Sequence, residues 1–313
     1  KEFPETKLKP DAAEGLGWIA FEAGQFEAAR GHFAVTAGAA GHPKAAASQV
    51  LIARCAQKLG RTDEALAALD KAAALPGGKE QAHAALLCRA SFLAQAKRFD
   101  EALPHFQALA KDFPGDTDAA AELAFAAQQA ERDGKRAEAL TLAEAYLAGY
   151  AKGAERPELA RTKAFALAGL QKKDEALTAA KAALQEAEAL PAGERREAER
   201  PAALMLLGEL SGEAGAPFYE KVVKEHAATR FAGSARYQLA YWAGRTGKLD
   251  EGLAHAEALL KELPAADKER AELRRKALFA ASDFAFQKKD YARAEGFLKE
   301  YAALPEAAQD SQT

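Results

Sequence analysis

The sequence predicts an all-α solenoid of about eight antiparallel helical hairpins. Three observations predict it: a seven-residue pattern recurs at a nearly fixed period, apolar residues follow helical spacing, and alternating or long β-branched runs are missing. A fixed period of this length is typical of stacked two-helix units, each of which buries its apolar face only against its neighbours. We therefore expect no single compact core.

The repeated pattern is clearest in the third copy, where KRFDEAL runs from Lys97 to Leu103. Each copy has a small residue, here called the anchor, at the place that Ala102 holds in this pattern. Seven anchors are read directly from the sequence: Ala29, Ala65, Ala102, Ala139, Ala176, Gly252 and Ala294. Successive anchors are 36, 37, 37, 37, 76 and 42 residues apart. Because 76 equals two steps of 38, the spacing predicts a degenerate sixth anchor at Ala214.

The local signals for one hairpin are most complete in the third copy. Its first helix is expected over 82–96 and its second over 100–112, since apolar residues recur every three or four positions in both. Pro114 ends the second helix because proline lacks the amide hydrogen and restricts the residue before it. Asp116 or Thr117 then caps the next first helix by accepting a backbone N–H.

Small residues are expected where the two helices of a hairpin cross. One stands twelve positions before each anchor: Gly17, Ala53, Ala90, Ala127, Ala164, Ala202, Ala240 and Ser282. A larger apolar residue stands one turn after several anchors: Phe33, Leu69, Phe106, Phe218 and Leu298. Tight antiparallel packing requires a small-against-small crossing with the larger side chain filling the space beside it.

These spacings resemble the tetratricopeptide repeat family. That family places a small residue twelve positions before an alanine, a large apolar residue four positions after it and a proline eight positions further on. The third copy matches with Ala90, Ala102, Phe106 and Pro114. Pro264 repeats the proline, and the resemblance extends from Asp11 to Ala303. It implies right-handed superhelical stacking, although the period is about 38 rather than ~34 and the family's tryptophan is absent from every copy.

The chain is predicted to consist of two blocks of hairpins separated by an irregular joint. The expected ranges are 1–10 for an N-terminal extension, 11–190 for five hairpins, 191–200 for the joint, 201–305 for three hairpins and 306–313 for a disordered tail. Pro201 follows the joint and is tolerable only in the first turn of a helix. A hinge and a longer solvated loop both remain open as interpretations of the joint.

Charge and hydropathy disfavour two classes of partner. With 43 basic and 46 acidic residues the chain lacks the basic excess of nucleic-acid binders. No apolar run approaches the ~20 residues of a transmembrane helix. The chain starts at Lys1 and its only methionine is Met205, so we expect a processed or truncated chain. Cys55 and Cys88 are expected to be buried free thiols, although a disulfide between them remains conceivable.

Catalytic, metal and cofactor motifs are missing from the sequence. HExxH, CxxC, GxGxxG, GxxxxGK[ST] and GxSxG do not occur. His32, His105 and His255 each stand three residues after an anchor in different copies, so we expect surface positions rather than one metal site. The paired carboxylates that begin the second helices, such as Asp63 and Glu64, are expected to complement the helix dipole. We therefore predict no catalytic residues, metal or cofactor.

The resemblance implies that a protein or peptide binds along the inner curve formed by the first helices. The family's inner positions lie 18, 15, 11 and 8 residues before the anchor. Ten residues of this chain at such positions are predicted to contact the partner: Trp18, Phe21, Arg54, Gln57, Gln128, Arg161, Phe165, Tyr237, Tyr241 and Phe286. Interface anchors are enriched in aromatic residues and arginine. Trp18 could equally cover the first hairpin, and Phe165 and Phe286 could be ordinary interhelix packing.

The leading hypothesis is therefore a non-enzymatic protein-interaction scaffold. Two alternatives are a helical accessory region of a larger envelope enzyme or assembly machine, and a scaffold that self-associates through exposed terminal hairpins. The segment from Phe218 to Leu239 is similar to repeats of bacterial cell-envelope proteins, which favours the periplasm or envelope over the cytoplasm. The basic clamp of chaperone-binding members is absent, since Asp11, Gly15 and Trp18 occupy its first positions.

Overall fold

A computed structural model describes residues 9–76, 78–263 and 270–304. The described residues contain helices and turns but no strand, so the predicted all-α class is confirmed. None of these helices combines the length and apolar character needed to cross a bilayer. The predictions for residues 1–8, for Pro264 and for the tail from 306 to 313 lie outside the described residues.

The chain divides into two compact units, with the boundary between Leu170 and Gln171. The first unit contains α1 (Lys9–Glu22), α2 (Phe26–Ala37), α3 (Ala45–Lys58), α4 (Thr62–Ala74), α5 (Lys79–Gln95), α6 (Phe99–Asp112), α7 (Thr117–Arg132), α8 (Arg136–Gly149) and α9 (Arg156–Gly169). The second contains α10 (Lys173–Glu188), α11 (Glu194–Ser211), α12 (Ala216–Glu225), α13 (Phe231–Arg245), α14 (Leu249–Glu262), α15 (Ala271–Gln287) and α16 (Tyr291–Ala302). Within each unit, substantial contacts join helices one or two places apart in the chain. This is the packing of stacked hairpins.

Buried small residues lie at the helix crossings, as the spacing predicts. Ala90 and Ala102 are both fully buried, and Phe106 beside them is also fully buried. These three residues belong to one apolar cluster that continues through α7 and α8. The third hairpin therefore shares its apolar side chains with the next hairpin in the stack.

The sixth copy departs from the predicted register. Ala214 is exposed within a short 3₁₀ helix over Gly212–Gly215, so it is not the anchor. Gly215 is buried instead, and Ala203, twelve positions earlier, is fully buried. Tyr219 is 1% exposed and takes the place that the sequence assigned to Phe218. The predicted anchor Ala214, with Ala202 before it and Phe218 after it, is therefore wrong by one residue. A 3₁₀ helix replaces the usual turn between the two helices of this hairpin.

A left-handed residue stands five positions before every anchor that was read directly from the sequence. The residues and φ angles are Gly24 (73°), Gly60 (74°), Lys97 (59°), Gly134 (72°), Gln171 (63°), Gly247 (76°) and Lys289 (64°). In the second hairpin the N–H of Arg61 donates to the carbonyl of Ala56 at 2.9 Å, the bond that closes a Schellman motif. A Cβ disfavours this conformation by about 1–2 kcal/mol, so the three non-glycine residues carry strain.

Lys289→Gly is expected to raise the free energy of unfolding by about 0.5–1 kcal/mol. The change removes the Cβ strain at φ 64°, offset by the larger entropy of glycine in the unfolded chain. Urea denaturation of the full chain, followed by circular dichroism, measures the effect. Ala182→Gly on the exposed side of α10 is the matched control and should lower stability by about 1 kcal/mol. A loss of stability in Lys289→Gly would contradict the left-handed turn.

Carboxylates at the starts of the second helices form ion pairs with arginine and lysine side chains of neighbouring hairpins. Asp63 lies 2.8 Å from Arg98, and Glu64 lies 2.7 Å from Arg30. Asp250 pairs with Lys288 of the last hairpin. These pairs are largely exposed, so each contributes at most about 1 kcal/mol. The repeated carboxylates have a structural position between hairpins in addition to the helix-dipole position that the sequence predicts.

The segment from 191 to 200 is mostly helical. Gly193 has a φ of 152° and α11 begins at Glu194, so Pro201 lies inside this helix rather than in its first turn. Arg200 lies 3.3 Å from Glu188 on α10 and 2.6 Å from Glu225 on α12. This guanidinium therefore links three successive helices of the second unit. The division into blocks and the hinge at this segment stay predictions.

Candidate functional site

All ten residues that were predicted to contact a partner lie on first helices of the hairpins, namely α1, α3, α7, α9, α13 and α15. In the first unit, several of them bond to the first helix of the next hairpin. The Nε of Arg54 donates to the Sγ of Cys88 at 3.5 Å, and the side-chain amide of Gln57 pairs with Gln95. These polar bridges hold adjacent first helices side by side and shape the surface between them.

Gln128 forms the same kind of bridge further along the first unit. Its amide donates to the Oε2 of Glu158 on α9 at 3.3 Å. Arg161 is half-buried on the same helix. Phe165, which is 41% exposed, lines a shallow depression beside Arg132 and Arg136. The surface of α7 and α9 therefore combines polar bridges with the open aromatic side chain of Phe165.

Trp18 and Phe21 pack within the first hairpin. The Trp18 ring meets buried Phe33 edge-on at 5.8 Å and Phe21 at 6.0 Å, measured between ring centroids. Phe21 in turn meets Phe26 at 5.3 Å. Trp18 nevertheless remains 40% exposed. The position of Trp18 is therefore compatible with both interpretations: it covers the first hairpin, and its open edge is available to a partner.

A groove of about 390 Å³ lies between α13 and α15 in the second unit. Its lining includes Tyr237, Tyr241, Gly244, Arg245, Phe279, Ala280, Asp283, Phe284 and Gln287. Glycine at 244 lets the two helices approach closely, because a Cβ there would lie 2.4 Å from the Phe284 ring. Phe284 is 5% exposed and belongs to the core beneath the groove. The groove is thus lined by aromatic side chains and lies over the buried core of α13 and α15.

The two tyrosines differ in how far they reach into solvent. Tyr237 is half-buried and packs against the apolar cluster of Leu259 and Ala277. Burial, with a smaller contribution from Tyr241, raises the pKa of Tyr237 above its usual value. Its hydroxyl therefore remains protonated at neutral pH and is available to donate a hydrogen bond. Tyr241 is 42% exposed and stacks edge-on against Trp242 at 5.3 Å.

Phe279, on the α15 wall of the groove, packs against Tyr301 of α16. Phe279 is 53% exposed, and its ring lies 6.4 Å from that of Tyr301 on α16. The hydroxyl of Tyr301 accepts from Arg275 at 3.3 Å, and Arg275 also donates to both carboxylate oxygens of Glu272 at 2.7 and 2.8 Å. Arg275 is buried, and these bonds raise its pKa, Glu272 contributing most. The permanently charged guanidinium fixes the ring that supports Phe279.

The structure brings together Tyr237 and Tyr241 but leaves Phe286 outside the groove. Phe286 is 62% exposed and meets Tyr291 edge-on at 5.5 Å. Arg245 and Gln287 line the groove although the sequence reasoning did not select them. The signal for both is helical spacing, since Arg245 stands four residues after Tyr241 and Gln287 stands four after Asp283.

Burial shifts the pKa values of two histidines and one cysteine. No group of metal-ligating side chains forms among the described residues. His105 and His255 are half-buried, and burial lowers the pKa of each. Cys55 and Cys88 are buried free thiols, as expected, and burial raises the pKa of Cys55 to about 11. A thiol with such a pKa is a poor nucleophile at neutral pH.

Comparison with known proteins gives structural relatives only. No family model matches the chain, and no curated protein matches its sequence. The C-terminal part of a TPR repeat-containing protein from Cytophaga hutchinsonii has a TM-score of 0.51 and 14% identity, covering 82% of this chain and 97% of that one. A tetratricopeptide repeat protein from Parabacteroides merdae has a TM-score of 0.41 and 14% identity, covering 86% and 99%. The hairpin geometry and the first similarity show that the chain has the fold of tetratricopeptide repeat proteins.

Proposed function

We propose that this protein is a non-enzymatic scaffold that binds a protein segment along the face formed by the first helices of its hairpins. The observation that carries the proposal is the aromatic groove between α13 and α15. Stacked helical repeats present extended surfaces of this kind to their partners. Because a fold does not determine a function, the proposal depends on the chemistry of the groove.

The composition of the groove fits a protein segment. Tyr237, Tyr241 and Phe279 offer rigid aromatic area that loses little conformational entropy on binding. Arg245, Asp283 and Gln287 add polar ends along the same channel. Interface centres are enriched in aromatic residues and arginine, with polar groups at the rim. The groove has this arrangement before any partner arrives, so little reorganisation opposes binding.

The other predicted contacts have two supporting roles in this proposal. Trp18, Phe165 and Phe286 offer open aromatic surface on other first helices, where further parts of a partner can bind. Arg54, Gln57 and Gln128 hold neighbouring first helices in place. Truncation of these polar residues should therefore alter the surface indirectly, whereas truncation of the groove tyrosines should remove contacts.

A quantitative pull-down tests the groove. The full chain carrying Tyr237→Ala and Tyr241→Ala is expected to recover its partners from a lysate of the source organism at least about tenfold less efficiently, as for the loss of an interface centre. The matched control is Phe125→Ala, since Phe125 on α7 is also half exposed but is not among the residues that line the groove. Circular dichroism must give equal helix content for all variants.

The outcome separates the proposal from the self-association hypothesis. Unchanged recovery by the double tyrosine variant, with both proteins folded, would remove the groove from the proposed function. Light scattering over a range of concentrations measures the oligomeric state in parallel. If the only protein recovered were the chain itself, self-association would replace partner binding as the function of this face.

A further inference from the structure

The groove between α13 and α15 also indicates which kind of segment it accepts. We propose that it binds an extended segment in which a large apolar side chain and a carboxylate stand three or four residues apart. This inference rests on the proposed function, because it specifies the partner's chemistry at the same surface. Three observations support it: the wall residues on α13 and α15 stand at matching positions, Arg245 has no carboxylate partner among the described residues, and the groove has a defined length.

Both walls of the groove repeat with the period of a helical turn. The wall residues are Tyr237, Tyr241 and Arg245 on α13, and Phe279, Asp283 and Gln287 on α15. On each helix they stand 15, 11 and 7 positions before the anchor of that hairpin, which is Gly252 or Ala294. The groove therefore has three successive levels: an aromatic level, a tyrosine–aspartate level and an arginine–glutamine level. An apolar side chain fits the first level best, because two rings flank it.

Arg245 is the cation that selects a carboxylate. Other arginines of the second unit already pair with glutamates: Arg236 lies 2.8 Å from Glu262, and Arg274 lies 2.8 Å from Glu300. Among the described residues no carboxylate pairs with Arg245, whose side chain is exposed at the end of the groove. A guanidinium recognises a carboxylate through two parallel hydrogen bonds. A partner carboxylate at this level therefore completes a pairing that the chain itself leaves open.

The length of the groove sets the spacing of the two partner groups. Tyr237 and Arg245 are eight residues apart on one helix, which corresponds to about 12 Å at 1.5 Å per residue. An extended chain advances by about 3.3 Å per residue. The apolar side chain and the carboxylate must then stand three or four residues apart for both levels to be occupied at once. A spacing of one residue leaves one level empty.

The middle level disfavours a second negative charge. Asp283 accepts a hydrogen bond from the amide of Gln287 at 2.7 Å, which orients its carboxylate beside the groove. Like charges at close range repel, whereas an N–H or hydroxyl group of the partner can donate to Asp283 or to Tyr241. The residues between the apolar side chain and the carboxylate are therefore expected to be neutral.

A peptide series tests the spacing directly. The probes are fluorescein-labelled peptides of glycine, serine and alanine with one Phe and one Asp separated by one to six positions, in both orders. Fluorescence anisotropy with the full chain is expected to give the tightest binding at a separation of three or four. Replacing Asp by Asn in that peptide should weaken binding about fivefold, the upper end for an exposed ion pair. Replacing Phe by Ala should weaken it about tenfold.

Two variants of the chain assign these preferences to residues. Arg245→Met should abolish the preference for Asp over Asn while keeping the preference for Phe over Ala. Arg236→Met is the matched control, because it removes the same charge from the same helix outside the groove, and it should keep both preferences. No dependence on spacing, an Asp preference that survives Arg245→Met, or no binding of any peptide would each overturn the inference. Partner recovery that still depends on Tyr237 and Tyr241 would, in that case, leave the proposed function standing.

Discussion

Gly215→Ala is expected to lower the free energy of unfolding by about 3 kcal/mol, the upper range for overpacking. A Cβ at this position would lie 2.1 Å from the carbonyl oxygen of Gly208 and 3.0 Å from its Cα. Both are backbone atoms of α11, so no side chain can rotate to relieve the clash. The 3₁₀ helix that contains Gly215 would have to move away from α11. Separation would in turn loosen Tyr219, which packs with Leu204 and Val222.

Urea denaturation of the full chain followed at 222 nm measures this loss. The matched control is Ala214→Ser, one residue earlier in the same 3₁₀ helix, where the side chain is exposed. The control should change stability by less than about 0.5 kcal/mol, as surface substitutions do. Equal effects of the two substitutions would mean that Gly215 is not the buried crossing residue. A larger effect at Ala214 would restore the register that the spacing predicts.

The sixth hairpin shows why spacing alone predicts most of the fold but not all of it. Where a first helix ends at a left-handed turn such as Gly60 or Gly247, the anchor follows five residues later and the sequence places it correctly. The sixth copy has Gly212 at a φ of 58° followed by a 3₁₀ turn, which shifts the crossing to Gly215. An averaged period cannot contain a one-residue change of this kind, because it depends on how tightly the backbone turns locally.

The candidate site was predictable to a similar extent. Helical spacing and the resemblance together selected Tyr237 and Tyr241, which do line one groove. Arg245 was missed, because the family's inner positions do not include the residue seven places before the anchor. The pairing of Arg54 with Cys88 was also not predictable, since it depends on the stagger between α3 and α5. Sequence periodicity defines a helix face, whereas contacts across helices need the interhelical geometry.

Phe106→Ala is expected to lower the free energy of unfolding by about 3–5 kcal/mol, the range for truncating a buried phenylalanine. Phe106 is fully buried and shares its cluster with Leu123, Leu142 and Tyr146 of the next hairpin. These neighbours lie on α7 and α8, which are held in place by their own packing. The cavity left by removal of the Phe106 ring therefore cannot close completely. The loss therefore combines the transfer of the ring to water with the lost contacts around the void.

Leu298→Ala is the matched control, because Leu298 stands at the same place, four residues after its anchor. Leu298 is 50% exposed in α16, so the substitution should cost less than about 1 kcal/mol. Both variants are measured by urea denaturation of the full chain, and the contrast between them is the decisive quantity. Similar losses would mean that burial under the following hairpin does not set the contribution of this position. A much larger loss at Phe106 would show that the contribution of this position depends on burial under the following hairpin.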